Sequence, residues 1–246
     1  MNKKFICIFT VLIIFISCPF SYARRVRVVN YPLVRYRVLD RGLSYSGYVS
    51  NKGYPFQFAI IDYPEGIAIW LKQKIHWGFV SSNPTLVVLS PYLDYNRYGT
   101  SRLSNTNWLS YICENSLVDK IYVVFPKYVE QYPDWKNNLQ RMANEARGIY
   151  SDPLYLLERL SELPRGDELG KVVLVIDLSF FSNRKSPTYK PELGEIVFQL
   201  NSIIYILKDK GIELEALVIL EFPEFTYKEH IRLIEEQFLE LLRDED

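Results

Sequence analysis

The chain has 246 residues, and its 29 basic residues balance its 29 acidic residues. This balance excludes a strong overall attraction to nucleic acid, so no nucleic-acid partner is expected. With 48% hydrophobic and 15% aromatic residues, the chain is long and apolar enough to bury one large core.

Residues 1–23 contain the parts of a secretory signal peptide in the usual order. Two lysines precede an uncharged apolar run from Phe5 to Phe20, and a small-residue pattern ends at Ala23. We therefore expect cleavage after Ala23 and an exported protein, either periplasmic or secreted. An uncleaved signal that anchors the protein in the membrane is the alternative, although the apolar run is slightly short for a full span. A lipid on Cys18 is a lesser alternative.

Cleavage at this position leaves Cys113 as the last of three cysteines. The mature chain then has no second thiol for an internal disulfide, and its net charge is about −2. Its stability has to come from a hydrophobic core.

Residues 24–55 form a leader that is rich in Arg, Tyr and Gly. Apolar and polar side chains alternate at residues 34–38, which predicts an extended segment with one or two short strands. The leader is either a solvated arm or a basic segment that contacts anionic lipid or cell-wall polymer. Contact with a membrane is expected only through this leader or through an uncleaved signal.

From residue 56 onward, short apolar runs alternate with segments of helical periodicity, which indicates βαβ construction. Strands are predicted at 56–61, 86–89, 120–126, 172–176 and 216–220. Helices are predicted at 65–74, 108–115, 134–146, 153–163, 192–210 and 227–242. Because the strands lack polar alternation, we expect a sheet covered on both faces. Residues 56–246 are therefore predicted to form a single three-layer α/β domain with a mostly parallel sheet.

Polar side chains follow two of the predicted strands. The first strand exit reads Ser90-Pro91-Tyr92-Leu93-Asp94, and the second reads Asp177-Leu178-Ser179. In open parallel sheets, functional groups gather at the carboxyl edge. Because residues two apart in an extended chain point the same way, we expect the polar residues of each exit to face one cleft.

The two exits resemble those of the ureohydrolase superfamily of arginases and histone-deacetylase-like enzymes, particularly its arginase-like branch. In that family the first exit reads Asp-x-His-x-Asp and the second Ile-Asp-Leu-Asp-Tyr-Phe, and these side chains hold one or two metal ions. The stretches "IDYPEGIAIWL", "LSNTNWLSYICENSLVDKIYVVFP" and "LVILEFPEFTYKEHI" are similar to further segments of the family, in the expected order. The resemblance implies an arginase/deacetylase-like fold.

The metal-binding motifs of the family are degenerate in this chain. The residues at the ligand-pocket positions are Tyr63, in place of a His, with Ser90, Tyr92, Asp94, Asp177 and Ser179. Only Asp94 and Asp177 keep a carboxylate. A catalytic metal pair needs several carboxylates, and Ser and Tyr carry little negative charge at pH 7. No cofactor is expected beyond a weakly held divalent cation such as Mg²⁺ or Ca²⁺ on these two residues.

Each candidate residue also has a simpler interpretation. Asp94 is more typical of a turn or helix cap than of a metal ligand, and for Asp177 the two interpretations weigh equally. Tyr92, Tyr95 and Tyr98 either fill the vacated metal cavity or stack on a glycan or peptide.

The chain offers no other catalytic set. His76 is expected to be a packed or surface residue, His230 to lie on an exposed helical face, and Cys113 to be a small buried apolar residue. The sequence has no convincing Ser-His-Asp or Cys-His set and no glycine-rich phosphate loop.

Three functional hypotheses follow. The leading one is an exported, non-catalytic protein that binds a small-molecule, glycan or peptide ligand or has a structural role in the cell envelope. The second is a metal-dependent hydrolase of an amide or guanidino C–N bond, with Asp94 and Asp177 on the ion. The third is a module that binds envelope polymer or lipid through the leader.

Overall fold

The computed structural model describes residues 43–51, 54–96, 103–131, 134–149, 152–181, 191–221, 225–227, 230–231 and 234. All of them belong to one compact unit that extends from Leu33 to Asp246. The predicted signal peptide, the leader up to residue 42, Tyr98 and most of the predicted helix at 227–242 lie outside the described residues. The hypothesis of binding through the leader therefore stays a prediction.

Seven strands form one sheet in the order β1-β2-β7-β6-β3-β4-β5. Six strands are mutually parallel, and β1 pairs antiparallel with β2 at one edge. Their bounds are β1 Leu43–Asn51, β2 Tyr54–Ile61, β3 Thr85–Leu89, β4 Lys120–Val124, β5 Leu154–Leu157, β6 Val172–Asp177 and β7 Leu214–Leu220. The predicted α/β class with a mostly parallel sheet is confirmed.

The central strands are apolar runs because both of their faces are covered. Every residue of β3 and of β6 is buried. From β2 the chain crosses to β3 and continues through β4 to β5 at the far edge of the sheet. It then returns to β6 and β7, which lie between β3 and β2. Right-handed crossovers therefore place the helices of the outward and return connections on opposite faces of the sheet.

The main helices are α1 Glu65–His76, α2 Trp108–Glu114, α3 Trp135–Ile149, the short α4 Gly166–Leu169 and α5 Leu193–Asp209. Three 3₁₀ helices lie at Lys127–Gln131, Leu160–Glu162 and Leu178–Phe180. The core between the sheet and the first helices contains the fully buried rings of Trp70 and Trp108. None of the described helices is both long enough and apolar enough to cross a bilayer.

The predicted leader contributes to the sheet. Strand β1 lies within residues 24–55 and pairs with β2 from Leu43 opposite Ile61 to Asn51 opposite Tyr54. The predicted boundary at residue 56 therefore falls inside β2, and the described sheet begins at Leu43.

The helix predicted at residues 153–163 is wrong. Residues Leu154–Leu157 form β5, which pairs parallel with β4, and a 3₁₀ turn follows at Leu160–Glu162. The segment is short and rich in Leu, so its apolar pattern fits a buried strand as well as a helix. Pairing with β4 decides between the two.

Candidate functional site

The candidate site lies where β3 and β6 end at the carboxyl edge of the sheet. These strands are neighbours, and the last pair in register is Leu89 opposite Ile176. Ser90 and Asp177 come next on their respective strands, so the register sets them side by side. The Ser90 hydroxyl donates to Asp177 Oδ2 at 2.9 Å.

Both carboxylate oxygens of Asp177 are engaged within the protein. Oδ1 accepts from the backbone N–H of Ser179 at 2.8 Å and from its hydroxyl at 2.5 Å. The first of these bonds caps the 3₁₀ helix Leu178–Phe180. Asp177 is only 1% exposed, and Ser90 and Ser179 are also buried. The three side chains form a closed hydrogen-bonded cluster, the Ser90–Asp177–Ser179 cluster.

Burial raises the pKa of Asp177 to about 6, against the effect of the donors from Ser179 and Ser90, which lower it. The backbone N–H of Tyr92 donates to the Ser90 hydroxyl at 3.1 Å. Ser90 is therefore both a donor and an acceptor. This bonding lets a buried carboxylate stay ionised over part of the neutral pH range.

Asp94 lies in a different local environment from the cluster. Its Oδ2 accepts from the indole Nε1 of Trp108 at 3.0 Å, and its backbone carbonyl accepts from the N–H of Leu109. The carboxylate therefore binds an indole at the start of α2 instead of the backbone of a turn. The predicted capping role is found for Asp177 and not for Asp94.

Burial is also the main reason that the pKa of Asp94 is raised to about 7. The bond from Trp108 opposes this rise, and the negative charge of Asp177 adds to it. Asp177 is therefore close enough to affect the ionisation of Asp94.

The tyrosines of the site have separate surroundings. Tyr63 lies between β2 and α1, is half-buried, and packs against the main core. The half-buried ring of Tyr92 contacts Phe225 edge to face, with 5.1 Å between the ring centroids. The hydroxyl of buried Tyr95 donates to Asp152. Tyr95 is therefore a packing residue, whereas Tyr92 lies at the half-exposed rim.

The three polar residues of the first exit have three different partners. Strand β3 ends at Leu89, so the alternation of an extended chain stops there. Ser90 then bonds Asp177, Tyr92 contacts Phe225, and Asp94 bonds Trp108. The second exit matches the expectation better, because Asp177 and Ser179 are bonded to each other.

Sequence reasoning missed two aromatic residues that hold the site. Trp108 bonds Asp94, and the hydroxyl of Tyr128 donates to the backbone carbonyl of Ser179 at 2.6 Å. Both are buried; Trp108 lies in the helix after β3, and Tyr128 lies in the 3₁₀ helix after β4. A buried Trp N–H or Tyr O–H usually needs a hydrogen-bond partner. This requirement is the property of the sequence that could have pointed to Trp108 and Tyr128.

His230 is 3% exposed, so its predicted position on an exposed face is wrong. Its ring contacts that of Tyr227, and Ile234, one turn later, is fully buried. This side of the segment therefore faces inward. His76 is exposed at the end of α1, and Cys113 is half-buried in α2.

The residues present do not fit the metal pair that the resemblance implies. In the part of the chain that the structure describes, no group of three or more His, Cys, Asp or Glu side chains is arranged to hold a metal ion. One of the two carboxylates already accepts three hydrogen bonds. The serine hydroxyls beside it are donors, which a cation would have to displace.

Comparison with protein-family models and with curated protein sequences finds no match. Among solved structures, the chain is similar to the proclavaminate amidino hydrolase from Streptomyces clavuligerus, with 11% identity and a TM-score of 0.47. That alignment covers 74% of this chain and 60% of the hydrolase. The shikimate dehydrogenase from Aquifex aeolicus matches with 13% identity, a TM-score of 0.26, and coverage of 71% and 55%. Likenesses this distant assign neither a family nor a reaction.

Proposed function

We propose that this chain is an exported protein of ureohydrolase-like fold whose metal centre has degenerated, and that it has a non-catalytic binding or structural role in the cell envelope. The observation that carries the proposal is the Ser90–Asp177–Ser179 cluster. Ser90 and Ser179 stand at positions where the resembled family has metal ligands, and their hydroxyl groups donate hydrogen bonds to Asp177.

The energetics of this cluster oppose a tightly bound cation. An ion on Asp177 would displace one or more of the three donors, all of them buried. Each buried donor left without an acceptor costs about 1–3 kcal/mol. The hydroxyl oxygens bring no negative charge that would offset this cost. The cluster therefore favours a stable polar core without an ion.

The rim of the site supports the binding role. The half-buried rings of Tyr92 and Phe225 meet at the carboxyl edge, and the phenol of Tyr92 supplies a polar tip. Such a pair suits a small molecule, a glycan or a peptide that packs against a half-exposed ring.

Metal analysis of the purified chain tests the proposal directly. The protein is supplied with Mn²⁺ or Zn²⁺, desalted, and assayed for metal per chain, with Asp177→Asn as the matched variant. We expect both proteins to retain only background metal. One or more tightly held ions in the wild-type chain, lost in Asp177→Asn, would overturn the proposal.

The second candidate is a metal-dependent hydrolase of an amide or guanidino C–N bond. It is favoured by the proximity of the two carboxyl groups, which is sufficient for the charge of Asp177 to raise the pKa of Asp94. Asp94 and Asp177 would then bind the ion. This candidate requires metal-dependent turnover that is abolished in Asp177→Ala. Turnover that does not change with this substitution would exclude it.

A further inference from the structure

Two tyrosines form a stacked pair on neighbouring strands, on the side of the sheet that is farthest from β1. Tyr122 of β4 lies directly opposite Tyr155 of β5 in the parallel register. Their ring centroids are 5.0 Å apart, and the ring planes differ by 19°. Tyr122 is 7% exposed, whereas Tyr155, on the edge strand, is 37% exposed. The pair therefore has a buried inner ring and a half-exposed outer ring.

Two exposed carboxylates lie on the amino side of this pair. Asp119 directly precedes β4, and its N–H donates to the carbonyl of Pro84 at 3.0 Å. Glu168 lies in α4, which is held at the start of β3 because the Thr85 hydroxyl donates to the carbonyl of Leu169 at 2.7 Å. Strands β3 and β4 are neighbours, so both carboxylates lie at their amino edge. This is the edge opposite to the Ser90–Asp177–Ser179 cluster.

The two carboxylates act on the hydroxyl of Tyr122. Burial is the main reason that the pKa of Tyr122 is raised, and the charges of Tyr155, Glu168 and Asp119 add to this rise. These charges are all negative. The electrostatic potential at the hydroxyl therefore favours a cation.

The polar groups of this region are not satisfied by the described residues. The side chain of Tyr122 is more than nine-tenths buried, yet its hydroxyl has no hydrogen-bond partner among them. Asp119 and Glu168 form no ion pair within the same residues, not even with Lys120 beside Asp119. A buried phenol usually finds a partner for its polar tip, so the hydroxyl is open to a donor from outside the chain.

A primary ammonium group fits these side chains best. It is a compact positive charge with three donors and no acceptor. One N–H can reach the Tyr122 hydroxyl oxygen while the others face the carboxylates, and the alkyl stem can pack on the exposed part of the Tyr155 ring. A quaternary ammonium has no N–H for the hydroxyl. A metal ion fits less well, because no three His, Cys, Asp or Glu side chains with a described position are grouped to hold one.

We propose that Tyr122 and Tyr155, with the carboxylates of Asp119 and Glu168, bind the primary ammonium group of an organic ligand. This ammonium site lies at the amino edge of the sheet, so it is separate from the candidate site at the carboxyl edge. The group belongs either to a free alkylamine or to a lysine side chain of a polypeptide, and its chemistry is the same in both.

NMR titration of the ¹⁵N-labelled full chain tests the proposal. The probe is Nα-acetyl-lysine methylamide, and its Nε-acetylated derivative is the neutral control. We expect saturable shifts of the backbone amides of residues 119–122 and 168 with a Kd on the order of 1–10 mM, and none with the neutral derivative. A wild-type chain whose amides do not shift with the lysine probe overturns the proposal. So does tighter binding of tetramethylammonium than of the lysine probe.

Three variants assign the binding to this site. Tyr122→Phe keeps the ring and removes a hydroxyl without a described partner, so it should fold normally and raise the Kd about 5-fold. Glu168→Gln should raise the Kd about 3-fold. Glu130→Gln removes the same charge from an exposed position after β4, at the opposite edge, and should leave the Kd unchanged. An equal loss in Glu130→Gln, or an unchanged Kd in both site variants, overturns the proposal.

Butylammonium distinguishes the two sources of the group, because it carries the same ammonium without a peptide backbone. Equal Kd values for butylammonium and the lysine probe support a free amine as the ligand. A lower Kd for the lysine probe supports a lysine side chain of a polypeptide.

Discussion

The Ser90 hydroxyl donates to the carboxylate of Asp177 across the ends of two neighbouring parallel strands, at 2.9 Å. This bond joins the two strand exits that the sequence singles out. It also makes the candidate site a part of the protein's stable core, so the site can be tested through stability as well as through binding.

Removal of the Ser90 hydroxyl is expected to destabilise the fold. Ser90→Ala takes a donor from Asp177 Oδ2 and an acceptor from the N–H of Tyr92, and buried groups left unpaired cost about 1–3 kcal/mol. Urea unfolding measures the change. The control is Ser202→Ala, whose hydroxyl bonds a carbonyl on the exposed side of α5 and should cost far less. Equal effects of the two substitutions would contradict this account of the cluster.

Stability is expected to fall as the pH rises from about 4 to about 7. The pKa of Asp94 is raised from 3.8 to about 7 and that of Asp177 to about 6. In this range the folded chain binds more protons at these groups than the unfolded chain does. Their stabilising contribution is therefore complete below about pH 4 and is lost as the pH rises through the folded-state pKa values.

Asp94→Asn should remove much of this dependence, because its amide stays neutral and keeps an oxygen for Trp108. The wild type loses stability over this range because Asp94 ionises, and the variant does not. We therefore expect the difference in unfolding free energy, variant minus wild type, to be larger at about pH 8 than at about pH 4 by on the order of 2 kcal/mol. Urea unfolding at both pH values gives the comparison. If the unfolding free energies of the two proteins change with pH by the same amount, Asp94 does not titrate in this range.

The indole proton of Trp108 should report the ionisation of Asp94 directly. The two groups are hydrogen-bonded, so the NMR shift of the indole N–H is expected to titrate with a midpoint near the Asp94 pKa of about 7. Asp177→Asn removes a negative charge that raises this pKa and should lower the midpoint. A titration that persists in Asp94→Asn would have to come from another group.

Rebuilding the family motif is expected to create a metal site. The triple variant Ser90→Asp, Tyr92→His and Ser179→Asp restores the ligand types of the resembled family at both strand exits. Because carboxylates and imidazole supply the charge and donors that the hydroxyls lack, we expect at least one tightly held Mn²⁺ per chain, measured by calorimetry. The wild type serves as control. A correctly folded variant without any gain in metal affinity would contradict the resemblance at these positions.

The sequence predicts most of the sheet because β3 and β6 are short apolar runs that are buried on both faces. It also predicts that Ser90 and Asp177 lie at one edge, since both follow parallel strands. It does not predict β5, whose leucines fit a helix equally well until β4 pairs with them. The sequence also does not predict the hydrogen bond from the Trp108 indole to Asp94, because this bond depends on how α2 packs against the loop after β3.

Strands β1 and β2 have a further consequence for how the protein is made. Among the described strands, this hairpin joins the rest of the sheet only through β7, the last strand in the chain. Its residues leave the ribosome well before β7 does, so the native sheet cannot close until β7 has been synthesised. Until β7 has been made, the nascent chain therefore lacks the strand that connects its first hairpin to the rest of the sheet.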